Sequence, residues 1–346
     1  MCRVAKRVMW GRAWSLRLLR STVTSRRALI VGINDYASAP CLSGCIADAV
    51  AVAQCLERNE DKTVNFRCEL LTSEKGGMVT APVLRQRLHA HLDQNFTGDA
   101  LLYFSGHGAA TSLGAHLLTY EGAQFSPGVP MRELVDLANR SRARNVFIFL
   151  DCCYAGAAGS DEEVVGSFEN EAKLREGVTI LAAARPRQGA HEVAGHGVFT
   201  RLVLAALAGG AADIRGRVST AGIYAYADAV LGALDQRPIY KSHAASLEPI
   251  RLCRPTVSDE ELRQLPTLFR EPMTRYSLAP SYEETFEDVA VPEHVVVFKA
   301  FKRLQTAGLL RCEVGQDLYW MAVRSQGVEL TPLGQLYWEL ATAGQI

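Results

Sequence analysis

Leu101-Leu102-Tyr103-Phe104-Ser105-Gly106-His107-Gly108 and Asn145-Val146-Phe147-Ile148-Phe149-Leu150-Asp151-Cys152-Cys153-Tyr154-Ala155-Gly156 are two apolar runs that each stop at a reactive residue beside glycine. Continuous apolar runs of this length fit strands buried on both faces of a parallel sheet. Their C-terminal ends then fall on loops along one sheet edge, where open α/β sheets bind ligands. One run delivers His107 and the other Cys153, 46 positions later. A thiol at its free pKa is mostly protonated, and the thiolate is the nucleophile. An imidazole close by takes that proton and later returns it to a leaving amine. Glycines on both sides of His107, and Gly156 after the cysteine, let a substrate backbone approach closely. The backbone N–H groups of Gly108 and Cys153 are the candidate oxyanion hole. Alone, His107 reads as a loop histidine and Cys153 as a buried thiol. Together, each ending a strand, they read as a nucleophile–base dyad.

Working outward, apolar runs alternate with helical patterns. Arg27–Asn34 reads as a first buried strand ending at the turn signal Asn34-Asp35-Tyr36, and Leu42–Ala49 leads into a helix that runs to about Arg58. Phe66–Leu71 reads as a strand, and Val79–Leu92 and Met131–Ser141 as helices. Residues 157–177, small and acidic, read as an exposed loop, followed by a strand over 178–184, helices over 199–207 and 220–234, and a short strand at 249–252. This alternation predicts an α/β layered domain over 26–254, a mostly parallel sheet flanked by helices. Residues 255–290 read as a linker or helical connector. Residues 291–346 read as a small winged-helix-like α+β domain. It has a helix over Val295–Leu309 with Gly308 as its C-cap, strands at Leu310–Val314 and Leu318–Val323 around the hairpin signal Gly315-Gln316, and a last helix opened by Thr331-Pro332. Tyr319, Trp320, Tyr337 and Trp338 read as the core of this small domain.

The 346 residues are 48% hydrophobic and 21% charged, a globular composition and not a disordered one. A formal net charge of zero gives no global push toward nucleic acid. Residues 1–34 carry eight Lys/Arg and no acid, whereas 255–346 carry eight Lys/Arg against thirteen Asp/Glu. The basic stretch 1–25, with Trp10 and Trp14 among its arginines, has two readings: a targeting or membrane-surface helix, and a plain extension. Nine irregularly spaced cysteines, an odd number, predict reduced thiols in a cytosol. No CxxC pair with matching histidines signals zinc, and no run of 18 apolar residues signals a membrane span.

Ser105-Gly106-His107-Gly108 and Asp151-Cys152-Cys153-Tyr154-Ala155-Gly156 resemble the two catalytic motifs of the caspase-like clan of cysteine peptidases. The His-to-Cys spacing is also that of caspases, about 50 residues. The glutamine-alanine-cysteine of animal caspases is absent, and Asp151 is similar instead to metacaspases and their prokaryotic relatives. The resemblance covers about 26–254 and includes the Ala28–Asn34 strand, Leu42–Ala49, Gly197-Val198-Phe199-Thr200 and Gln236-Arg237-Pro238. It implies a caspase–haemoglobinase-type six-stranded sheet, with His107 as general base and acid and Cys153 as nucleophile; Cys152 is the rival thiol. It also implies an acidic pocket for a substrate Arg or Lys, formed by Cys45, Asp48, Ser105 and Asp151. Two carboxylates in a partly desolvated pocket suit a guanidinium through charge-assisted contacts. Asp48 has the alternative reading of a helix-start acid. Lys173 and Arg175 fall where caspases are cut between their halves, which makes them candidate autocleavage sites. Some metacaspases need calcium; residues 111–144 here offer only Glu121, Glu133 and Asp136, so no calcium requirement and no other cofactor are expected.

A winged helix suggests DNA, but a surface with excess acid lacks the basic footprint that phosphate contacts need. The expectation is therefore a regulatory domain that meets a protein or small ligand, attached to a cytoplasmic peptidase that acts on proteins or peptides. Family analogy places such an enzyme in stress, cell-death or anti-phage pathways of a bacterium. A catalytically silent scaffold and a DNA-binding regulator are the rival readings.

Overall fold

A computed structural model of the chain describes residues 25–73, 77–111, 114–123, 126–152, 173–183, 197–231, 238–244, 246–313 and 316–346. The first part runs β1 (Arg26–Gly32), α1 (Cys45–Glu57), β2 (Arg67–Thr72), α2 (Ala81–His91), β3 (Asp99–Gly106), β4 (Gly108–Thr111), β5 (Gly114–Ala123), β6 (Ser126–Pro130), α3 (Met131–Arg140) and β7 (Asn145–Cys152). It continues through β8 (Val178–Ala182), α4 (Val198–Ala205), β9 (Arg217–Ser219), α5 (Thr220–Leu231), β10 (Ile239–His243) and β11 (Pro249–Leu252). Six strands form one sheet in the order β10-β8-β7-β3-β1-β2, all parallel except the edge strand β10.

Every residue of β3 and β7 is buried, because helices cover both faces of the sheet. Side chains along a strand alternate between faces. Leu29, Val31, Leu102, Phe104, Ile148, Leu150 and Cys152 pack on one face with Leu84 and Leu88 of α2 and Leu134 of α3. Ala28, Ile30, Leu101, Tyr103, Phe147 and Phe149 pack on the other, with Val52 and Leu56 of α1, Phe199 and Val203 of α4 and Ile223 of α5. β1 pairs with β2 on one side and β3 on the other, so the chain reverses its winding there. The crevice beyond the C-terminal ends of β1 and β3 is the switch point where such sheets bind ligands.

Strand β9, which pairs with β11 in a separate two-stranded sheet, was absent from the sequence reading, as were two further features. The chain after His107 forms a three-stranded antiparallel sheet, β4-β5-β6, and Ile239–His243 adds β10 to the main sheet. The expected helix over 220–234 is present as far as Leu231, and its end lies outside the described residues.

The C-terminal unit contains α6 (Asp259–Arg263), α7 (Leu265–Leu268), β12 (Tyr276–Ser277), α8 (Pro292–Thr306), β13 (Leu310–Arg311), α9 (Leu318–Val323), β14 (Gly327–Leu330) and α10 (Pro332–Thr342). Leu318–Val323 is a helix and not the expected strand. Asp317 caps it by accepting the Trp320 N–H at 3.0 Å, and Leu318, Met321 and Ala322 are buried at helical spacing. The strand that pairs with β13 is β14, in a three-stranded sheet ordered β12-β14-β13; Val314 and Gly315 of the expected hairpin lie outside the described residues. The expected linker gives Val257, Leu262, Leu265 and Phe269 to the core of this unit, so it is part of the fold. Trp338 packs there with its indole N–H on the Phe269 carbonyl at 2.8 Å, whereas Tyr319 and Trp320 stand on the surface. The unit is docked on the first domain. Ile214 packs against its core, and the Arg215 guanidinium grips Asp259 with two bonds of 2.7 Å.

Candidate active site

The C-terminal edge of β1, β3 and β7 gathers most of the residues singled out above. His107 follows directly after β3 and is half-buried. Its backbone N–H donates to the Tyr36 hydroxyl at 2.8 Å, and its carbonyl accepts the Leu118 N–H at 3.0 Å. Its ring lies 4.8 Å from that of Tyr36, tilted by 50°. The Nε2 atom sits 2.8 Å from the Pro40 carbonyl. A carbonyl only accepts, so Nε2 carries the proton in this contact and Nδ1 of a neutral ring keeps its lone pair.

Tyr36 is a residue the sequence reading treated only as part of a turn. Its side chain is buried, and burial pushes its phenol far above the ordinary range, so the hydroxyl stays protonated. Gly106 is fitted to it: a Cβ there would come within 2.6 Å of the Tyr36 hydroxyl oxygen. Asn34 was likewise read as turn chemistry alone. Its Oδ1 accepts the N–H groups of Cys45 at 3.0 Å and Ile46 at 3.3 Å, which caps α1 from the end of β1. The signal for both was their position just past a buried strand, at the ligand-binding edge.

Of the four expected pocket residues, three converge. Asp48, Ser105 and Asp151 are at most 1% exposed. Ser105 and Asp151 are register partners on β3 and β7. Ser105 Oγ approaches Asp48 Oδ2 at 3.5 Å. The Gly197 N–H donates to Asp48 Oδ2 at 3.1 Å, and Thr200 donates to Asp151 Oδ2 from its hydroxyl at 2.6 Å and its N–H at 3.3 Å. A Cβ on Gly197 would lie 2.4 Å from Asp151 Oδ2 and 3.2 Å from Asp48 Oδ2. The two carboxylates therefore flank one spot that only glycine leaves open. Cys45, one turn before Asp48, is buried beside Tyr36.

Cys153 and Tyr154–Gly156 lie outside the described residues, as do 157–172 and Gln236-Arg237. Cys152 ends β7 fully buried, on the sheet face opposite that of Tyr103 and Phe149. Burial holds the thiols of Cys55, Cys253 and Cys312 above their ordinary value and pushes Cys68 up to about 12, which favours the protonated, less nucleophilic form. Lys173 is exposed. Arg175 is tied to the Ala138 carbonyl at 3.1 Å and the Ala143 carbonyl at 2.7 Å. Glu121 caps α2 through the Ala81 N–H at 2.7 Å, and Glu133 holds Arg85 at 3.0 Å. Among the described residues no helix is long and apolar enough to cross a membrane.

The caspase-domain family model matches residues 25–247. A crystal structure of a Geobacter sulfurreducens protein aligns with 66% of this chain and 100% of its own, at 16% identity and a TM-score of 0.48, a likeness too slight to carry an argument. No curated protein matches the chain.

Proposed function

Because the chain belongs to the caspase-domain family of cysteine peptidases, we propose that it cuts protein or peptide chains after Arg or Lys, with Cys153 as nucleophile and His107 as general base and acid. The observation that carries this reading is the pair of buried carboxylates, Asp48 and Asp151, at the sheet edge that also holds His107. A buried carboxylate pair favours a cation that enters desolvated, and a guanidinium matches two carboxylates by geometry as well as charge. The burial of Cys152 in the core favours Cys153 as the accessible thiol.

In the proposed mechanism, His107 Nδ1 takes the thiol proton of Cys153 while Nε2–H stays on the Pro40 carbonyl. The thiolate attacks the carbonyl carbon of the basic residue itself. The resulting oxyanion is held by the backbone N–H groups of Gly108 and Cys153, a device typically worth about 100–1000-fold per donor. Collapse breaks the C–N bond, and the amine leaves with the proton from the imidazolium. Water then attacks the thioester with His107 again as base, which releases the acid and restores the thiol. No calcium requirement is part of the proposal; of the three acids in 111–144, Glu121 serves α2, Glu133 serves Arg85 and Asp136 is exposed.

Control by the C-terminal unit is part of the same proposal. That unit holds Ile214 and Arg215, on the loop that follows α4, and α4 is the helix whose first turn holds the two carboxylates. If the enzyme processes itself, exposed Lys173 is the better site, since Arg175 is anchored by its own side chain.

Matched fluorogenic peptides ending in Arg, Lys, norleucine or Asp test the reading on the full chain. Turnover confined to Arg and Lys peptides, and reduced at least about 1000-fold in Cys153→Ala and in His107→Ala, is the expected outcome. Turnover of Asp peptides would remove the acidic pocket, and turnover that survives in Cys153→Ala would remove the nucleophile.

A further inference from the structure

We propose that Thr200, backed by Tyr103, is a positioning residue that fixes Asp151 as one wall of the pocket for the substrate cation. We propose also that the first turn of α4 is what allows two carboxylates to share that pocket. This rests on the reading of Asp48 and Asp151 as the pocket given above.

Strand alternation puts Tyr103, Ser105 and Asp151 on one sheet face, under α4. Thr200 is fully buried there. Its hydroxyl lies 2.6 Å from Asp151 Oδ2 and 2.5 Å from the Tyr103 hydroxyl. A carboxylate only accepts, so the single Thr200 proton goes to Asp151, and the Tyr103 hydroxyl must donate to the Thr200 oxygen. Burial keeps Tyr103 far above the ordinary phenol range, so its proton is always available for this bond. The relay therefore has one direction, from Tyr103 through Thr200 to Asp151.

α4 completes the arrangement. Gly197 is its N-cap, and no side chain caps it locally. The Gly197 N–H serves Asp48 and the Thr200 N–H serves Asp151, so two backbone groups of the first turn are satisfied by the two carboxylates. The positive end of the helix dipole faces both acids. The Oδ2 atoms lie no further apart than the sum of their distances to the Gly197 Cβ position, 2.4 Å and 3.2 Å. Like charges this close repel, and hydrogen-bond donors aimed at them offset that repulsion. Thr200 and the α4 N–H groups are among those donors. A valine at 200 would keep the shape and lose the relay; a serine would keep the relay.

A carboxylate that serves α4 only as a cap would predict a loss of stability indifferent to the substrate side chain. The test therefore reads side-chain preference by binding, on the full chain carrying Cys153→Ala, so that turnover is not needed. Calorimetry measures the affinity of matched peptides ending in Arg or norleucine. Before any change at 200 the Arg peptide binds more tightly. Thr200→Val lowers that preference about tenfold and leaves norleucine affinity unchanged, Thr200→Ser restores it, and Tyr103→Phe lowers it about threefold. Equal weakening of both peptides by Thr200→Val, or an unchanged Arg preference, overturns the proposal. If Thr200→Val unfolds, Tyr103→Phe and Thr200→Ser decide: full Arg preference in Tyr103→Phe, or none in Thr200→Ser, also overturns it. Arg preference without turnover by the unmodified enzyme would sink the peptidase reading and leave the relay standing. No Arg preference at all would sink the pocket and the relay together.

Discussion

Both ends of the central sheet bury acid, and they hold it in opposite ways. At the N-terminal end, Asp99 is 2% exposed and is gripped by cations: Arg144 in two bonds of 3.0 and 3.1 Å, Arg26 at 3.4 Å, with Asn145 adding a bond of 2.9 Å. Burial lowers the Arg26 pKa and Asp99 raises it again, the signature of a charge pair that neutralises itself inside the protein. At the C-terminal end, two backbone N–H groups and two hydroxyls are among the groups that bond Asp48 and Asp151. Dipoles stabilise a carboxylate without cancelling its charge, which is the property the proposed pocket would offer a cation. In the proposed reading, the same residue type serves stability at one edge and recognition at the other.

Exchanging Asp for Asn at each edge breaks this comparison most sharply. Asp151→Asn lowers kcat/KM for Arg peptides roughly 100-fold, since a cation entering a buried pocket loses its partner, and changes stability little. Asp99→Asn leaves activity close to wild type and destabilises by about 3 kcal/mol, because Arg26 stays buried without its counter-charge. Peptide kinetics and thermal unfolding on both variants check the pair. If both exchanges act on stability alone, the two edges do not differ as described.

Tyr36→Phe sharpens the contrast within the functional edge. The phenol accepts the His107 N–H, and its ring lies against the imidazole. Removing only the hydroxyl costs about 1–1.5 kcal/mol of positioning, read as a fall of roughly tenfold in kcat with KM nearly unchanged. An equal change in KM would place Tyr36 on the pocket side instead.

The first domain was legible in the sequence because its decisive strands are buried on both faces. Apolar runs ending at His107 and in the Asp151-Cys152-Cys153 stretch could mean little else, and parallel register then fixes Ser105 opposite Asp151. Thr200, Gly197 and Tyr36 could not be given roles, since each acts on a residue at least 49 positions away in sequence. The β4-β5-β6 sheet escaped notice because Gly108–Thr111 and Ser126–Pro130 are small and glycine-containing, with no apolar alternation. Leu318–Val323 misled because Leu, Tyr, Trp, Met and Val suit a short strand as well as a short helix. The deciding signal was Asp317 as a cap with Leu318, Met321 and Ala322 at helical spacing.

The smallest effect at neutral pH belongs to His91, at the N-terminal edge with Arg27. It is 5% exposed, its Nε2 has no hydrogen-bond partner among the described residues, and the Arg27 guanidinium bonds its carbonyl. Burial first, and Arg27 second, lower its pKa to about 3, against an ordinary value of 6.5. Between those two values the unfolded chain binds a proton that the folded chain refuses. The stability His91 contributes as a neutral ring is therefore complete above about pH 6.5 and lost progressively toward pH 3. His91→Gln removes this titration. Relative to wild type, the variant gains on the order of 3 kcal/mol as the pH falls from 7 to 4, with no change in peptide kinetics at pH 7. Denaturant unfolding at a series of pH values checks it. A wild-type–variant difference that stays flat across this window would mean that His91 is hydrated, and that the closed, self-neutralised character of this edge stops at Asp99.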